Sequence, residues 1–259
     1  MSRFKAAAIH FLISAAVVTS IIALMLTLWY PHTYFKLMGG ATLIYLIAGV
    51  DVFIGPLLTL TVFKVGKKGM KFDLICIALL QLTAMSYGLY VMFVARPIFT
   101  VYNQNVFYVV SVVDILPIEL MKAKKPAWRT ASLTGPRLAA IGAPKSYTSK
   151  EEQALVFALG NTAQFYPKVY DTYRNHQVEI IKAGKALNDL VTISAANKPN
   201  IDAFLRKTNR PMADFLYLPV NSAVNNMAAI VDAKNGDFIE IIDAKPTADK
   251  PNTDKTKNN

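Results

Sequence analysis

Three long apolar runs occupy the first 95 residues of this chain, and one aspartate, Asp51, stands near the middle of the second. The runs extend from Ala6 to Tyr30, from Gly39 to Phe63 and from Phe72 to Ala95. Each exceeds the roughly 20 residues needed to cross the hydrocarbon core of a bilayer. The first is longer than the roughly 7–15 residues of a signal-peptide core, and no small-x-small cleavage site follows at Trp29-Tyr30-Pro31, so it reads as an uncleaved span. The chain is therefore expected to be membrane-anchored, with three N-terminal transmembrane helices over 1–95.

The short loops give that anchor a direction. Arg3 and Lys5 precede the first run, and Lys64, Lys67, Lys68 and Lys71 separate the second from the third, whereas Lys36 is alone between the first and second. Lys and Arg favour the cytoplasmic side. The N-terminus and the 64–71 loop are thus expected in the cytoplasm, and everything after Arg96 on the opposite side. Trp29, Tyr30, Tyr34, Tyr90 and Phe93 then fall near the outer interface, as an aromatic belt does.

The remaining chain is long enough for one domain with its own core. Its sequence predicts an α+β extracytoplasmic domain over 96–244 with hairpins at both ends. Ile98–Tyr102 and Phe107–Asp114 are rich in β-branched and aromatic residues around Asn103-Gln104-Asn105, the pattern of a hairpin. A short helix is expected over Leu116–Lys125, then an extended loop punctuated by Pro126, Gly135-Pro136 and Pro144. Ser149 to Glu152 has the spacing of a capping box, opening a helix that Gly160-Asn161 stops near Leu159. His176–Val191 reads as one helix with Ile180, Ala183, Leu187 and Leu190 inward. Asn200 is the expected cap of a helix through Lys207 that turns Phe204 and Leu205 inward. Strands follow at 215–220, 228–232 and 238–242, the last two joined through Asn235-Gly236, a pair suited to a type I′ turn. Residues 245–259 are almost wholly polar and are expected to be a disordered tail.

Charge and motifs exclude more than they assign. The net charge of +11 is carried partly by the topology lysines and forms no basic helix or aromatic-interleaved stripe, so no nucleic acid partner is expected. The only cysteine, Cys76, lies in the third run, which rules out an intramolecular disulfide and a cysteine metal site. His10, His32 and His176 lack ligand spacing and are read as structural or surface residues; no metal site, no cofactor and no catalytic residue is expected. Asp51 is different, because an ionisable residue at such depth marks a functional site by default. It could instead bond to Gln81, Ser86 or Tyr87 of the third run. Gly55-Pro56 should kink the second span and free a backbone carbonyl close to Asp51, making a polar notch that a further transmembrane helix could wall. Asp73 suits the start of its helix; Arg96 can snorkel to head groups, and Pro97 ends the helix.

Taken together, Asp51-Val-Phe-Ile-Gly-Pro-Leu-Leu-Thr-Leu60, Lys68, Asp73-Leu74, Gln81, Tyr87-Gly88 and Arg96-Pro97 resemble the TfpX/TfpZ family of type IV pilin accessory proteins. Weaker matches continue through Trp128, Gly135-Pro136, Tyr166 to Tyr170, Phe215 to Val220 and Val231-Asp232 ahead of Asn235-Gly236. The resemblance implies a multi-pass bacterial inner-membrane protein with a periplasmic domain, non-enzymatic and chaperone-like. Its partners would be the lipid bilayer, a cognate major type IV pilin and, through it, the pilus assembly machinery. Asp51, Gly55, Pro56, Gln81, Tyr87 and Arg96 are the candidate partner-binding residues. Pilins carry an apolar N-terminal helix with a free terminal amine, and an amine is a better contact for Asp51 than another acid. The alternatives are an envelope transferase modifying pilin and a sensor or transport subunit working through Asp51.

Overall fold

The computed structural model describes residues 2–64, 66–143 and 147–247. Most of the expected polar tail, residues 248–259, and Pro144 lie outside them. The chain divides into two compact units, one of residues 1–100, 109–137 and 165–168, the other of 101–108, 138–164 and 169–259.

The first unit is built on apolar helices. Two are long and apolar enough to cross a membrane, Arg3–Trp29 with 27 residues and Met70–Ala95 with 26. Between them Gly40–Ala48, a π-helical turn over Gly49–Ile54 and Gly55–Val62 follow one another. The π turn is how the backbone accommodates Pro56, which lies at the start of the following helical segment. Proline has no N–H to donate, and Gly55 N–H reaches back five residues to the carbonyl of Val50. The aromatic residues expected at the outer interface do meet. Trp29 and Phe93 pack edge-to-face at 5.3 Å, and the Tyr30 hydroxyl donates to the Met92 carbonyl at 2.7 Å. Arg96 does not snorkel outward. It is buried, its Nε donates to the Ser132 carbonyl at 2.9 Å, and its guanidinium stacks over Phe93 at 3.7 Å.

The second unit is α+β and holds the greater part of a seven-stranded sheet: β1 Pro97–Asn103, β2 Val106–Ser111, β3 Arg137–Ala140, β4 Lys185–Ala186, β5 Phe215–Asn221, β6 Asn226–Asp232 and β7 Phe238–Ile242. The order is β3-β1-β2-β5-β6-β7. β2 pairs with β5 in parallel, Phe107 facing Val220, while β4 takes the other half of that edge antiparallel, Lys185 facing Tyr217. Alternation sends Phe215, Tyr217, Ala228 and Ile230 to one face, where Leu187, Leu190, Ile201 and Phe204 cover them. Each fully buried large apolar side chain there contributes about 1.5–3 kcal/mol.

Both expected hairpins form, with turn chemistry of two kinds. At the first, Gln104 and Asn105 both take positive φ, 48° and 68°. At the second only Gly236 does, at 73°. Asp232 Oδ1 accepts from the N–H of Lys234 and of Asn235 and holds Asn235 out of the left-handed region, so the expected type I′ turn is replaced. The expected helix over His176–Val191 is two, Gln177–Ala183 and Leu187–Ile193, parted by Gly184 and β4. Gly184 packs on the strand below: a Cβ there would stand 2.8 Å from Leu216 Cβ. The cap of the next helix, Lys198–Thr208, is Asn197 rather than Asn200, whose Nδ2 donates to the Asp243 carbonyl at 2.6 Å instead. The stretch read as a loop contains β3.

Candidate functional site

Asp51 lies on the π turn and is 5 % exposed. Its carboxyl borders a cavity of about 230 Å³ within the helical unit. His10, Ile13, Ser14 and Val17 line one wall, and Ala78, Gln81, Leu82 and Met85 another. Both sets repeat at i, i+3, i+4, i+7, which places each on a single helix face. The geometry thus turns His10 and Ser14 from one long helix and Gln81 from the other toward the cavity that Asp51 borders. The opening is mostly apolar, as a site within a helix bundle usually is.

The backbone at Asp51 is satisfied and its side chain is not. Gln81 Nε2 donates to the Asp51 carbonyl oxygen at 3.2 Å. This is the carbonyl that a residue five further on would bond in a π pattern, and that residue is Pro56. Gln81 therefore supplies the donor that proline lacks, much as the freed carbonyl was expected to require. Gly55 leaves the path for it, since a Cβ there would lie 2.0 Å from Gln81 Nε2. Neither carboxyl oxygen of Asp51 has a hydrogen-bond partner. An ionised carboxylate without donors in an apolar setting is strongly disfavoured. A donor or cation arriving from outside would complete the group.

Of the six candidate residues, the structure brings Asp51, Gly55 and Gln81 together, with Pro56 adjoining. Tyr87 is exposed and Arg96 is engaged with Phe93 and Ser132, so neither lines this cavity. His10, expected to be a structural or surface residue, joins the site. Its Nδ1 shares a 2.6 Å hydrogen bond with the buried Thr59 Oγ1, and with Ile13 and Ala78 it also lines a second cavity of about 260 Å³. The signal in the chain is faint: His10 and Ser14 are four residues apart, but Thr19, Ser20 and Thr27 share the run.

The α+β unit presents a contrasting cavity of about 420 Å³ beside the first hairpin, between Tyr102–Asn105 and Glu179–Ala183. Several polar side chains around it are paired. Asn103 Nδ2 donates to the Gly160 carbonyl and to Gln164 Oε1, and the Tyr102 hydroxyl donates to Asn105 Oδ1. His176 is not a surface residue. It is 4 % exposed and lies between Asp171 at 3.1 Å and Glu179 at 3.2 Å. Burial pulls the Asp171 carboxyl up, but hydrogen bonds from Asn175, the Thr172 N–H and His176 outweigh it and hold it below the usual range. No group of three or more metal-ligating side chains occurs among the described residues.

Over 221 residues, 84 % of this chain and 86 % of the relative, the sequence is 31 % identical to a fimbrial assembly protein of serogroup E1 from Dichelobacter nodosus. A serogroup I protein of the same organism matches to the same extent. A fimbrial assembly protein of serogroups C1 and C2 is 39 % identical over 121 residues, 46 % of this chain and 92 % of that one. The chain belongs to the FimB family of fimbrial assembly proteins. The model of that family matches residues 1–39, which include His10 and Ser14 of the cavity wall. No solved structure matches this FimB-family chain.

Proposed function

We propose that this fimbrial assembly protein is a multi-pass inner-membrane accessory of the TfpX/TfpZ kind that holds its cognate major pilin before the pilin enters the pilus. In this reading 3–29, 40–62 and 70–95 are three spans, the N-terminus is cytoplasmic and the α+β unit is periplasmic. The observation that carries it is the bare Asp51 carboxyl in an open, largely apolar cavity. Such a site suits an apolar helix that brings one cationic or donor group with it, and an unassembled pilin offers its N-terminal amine on such a helix. The amine would satisfy the carboxylate that Gln81, committed to the backbone, leaves alone. The α+β unit, with its polar groups paired, serves the globular part of the pilin without chemistry. The resemblance of Asp51 to Leu60 to pilin accessory proteins and the family of the relatives support the same role.

The test is photocrosslinking in intact cells, with probes at Val52 and on the first hairpin at Gln104, blotted for the major pilin. Adducts at both positions, lost at Val52 in Asp51→Asn, are expected. An Asp51→Asn strain with unchanged adducts and normal piliation would remove Asp51 from the reading. A change in the mass of pilin on deletion of the protein would favour a modifying enzyme instead.

A further inference from the structure

Outside the apolar helices, exposed apolar side chains such as Phe157, Val178 and Val224 are scattered singly, but five fall within 113–133. Val113, Leu116, Ile118, Met121 and Leu133 are each more than half exposed. The helix Pro117–Met121 explains part of the pattern. At about 100° per residue, Ile118 and Met121 share a face and the buried Leu120 takes the opposite one. A soluble surface rarely gathers such residues without a partner. Cations follow at once: Lys122, Lys124, Lys125 and Arg129 fall within eight residues, and 112–137 holds five Lys or Arg against Asp114 and Glu119.

Hydrogen bonds fix where this stretch sits within its unit. Arg96 closes the helix Met70–Ala95 and ties both ends of the patch. Its carbonyl accepts from the Val112 N–H at 3.2 Å, and its Nε donates to the Ser132 carbonyl at 2.9 Å. Val113 and Leu133 are therefore each one residue from a bond to the end of that helix. Gly135 packs on Pro31, just beyond the end of the other long helix: a Cβ there would be 3.0 Å from Pro31 Cγ. A surface pinned to the ends of both long helices lies where the hydrocarbon gives way to head groups.

We propose that Val113–Leu133 is an interfacial anchor on the outer leaflet. Leu116, Ile118, Met121 and Leu133 dip into the acyl boundary, while Lys122 and its neighbours meet anionic head groups. The proposal rests on the reading of the long helices as membrane spans, and it commits to lipid rather than protein as the occupant.

The test uses the full chain with Cys76→Ala, reconstituted in vesicles of phosphatidylethanolamine and phosphatidylglycerol. A fluorophore is placed singly by M121C, L133C, L79C or Y90C, and nitroxide-bearing lipids quench it. Labels at 121 and 133 should lose emission to a shallow nitroxide as fully as the label at 90. Labels at 121 and 133 that stay bright while the label at 79 is quenched by a deep nitroxide overturn the anchor and leave the spans standing. Labels at 121 and 133 shielded from aqueous iodide yet untouched by lipid nitroxides mean a protein covers the patch, which also overturns it. An unquenched label at 79 removes the spanning reading and the anchor together.

Discussion

The two units treat buried polar atoms in opposite ways. In the α+β unit, among the described residues, each buried side-chain nitrogen or oxygen has a partner. Asn197 shows the pattern: its Nδ2 donates to the carbonyls of Leu190 and Lys245, and its Oδ1 accepts from the Lys245 N–H. In the first unit both Asp51 carboxyl oxygens, and Glu119 Oε2, have none. A buried polar group without a partner costs about 1–3 kcal/mol, more when charged. The α+β unit is a finished structure whose polar groups serve its own fold. The helical unit keeps an unmet group, the kind of strain that persists where something else completes the site.

The widest gap should come from truncating the finished core. Phe215 is 1 % exposed, packs edge-to-face on Phe204 at 4.8 Å and carries the Arg210 guanidinium over its ring. Phe215→Ala should destabilise the α+β unit by about 3–5 kcal/mol. Hydrogen exchange of β5 and β6 in detergent-solubilised protein reads this directly; protection within a factor of ten of wild type would contradict so tight a core. The helical unit should answer with the opposite sign. Asp51→Leu removes an unpartnered carboxyl and fills apolar space, and should raise thermal stability of the isolated protein by roughly 1–2 kcal/mol while abolishing pilin adducts. A loss of stability in Asp51→Leu would mean that the carboxyl already has a structural task, and the contrast between the units would fail.

The same contrast explains what could be read from the chain. The first and third apolar runs, the first hairpin, the helix after Ser149 and the strands at 215–242 follow from short-range pattern and appear close to their expected bounds, whereas the second run, expected as one span, is three successive helical pieces around a π turn. The errors arise where a tertiary contact decides. Gly184 breaks a helix because Leu216 lies against it, and Asn200 yields the cap because Asp243 claims its side chain. β3 is short and borrows its partner from a distant strand. At the candidate site Asp51 announced itself by charge in an apolar run, and Gln81 could be found as a polar residue in the next. His10 was missed because its role depends on Thr59, 49 residues away. Arg96 was misjudged because Ser132, remote in sequence, draws it inward.

The smallest effect concerns pH and again separates the units. Burial pulls the Asp232 carboxyl up. Arg210, which donates at 2.8 Å, and the N–H groups of Lys234 and Asn235 outweigh that and hold it below the usual carboxylate range. A carboxyl with a depressed folded-state value contributes stability that is complete above its unfolded value, near about 3.9 for aspartate. That contribution is lost as the pH falls through the lower, folded value. Asp232→Asn should therefore lower stability of the α+β unit at neutral pH by about 1 kcal/mol, the scale of one hydrogen-bonded pair, and the difference from wild type should close below about pH 4. Unfolding curves of both proteins across that range decide it. The amide oxygen of Asn can hold the same turn, so the variant removes only the charge that faces Arg210, and curves that stay parallel into acid would contradict this electrostatic account.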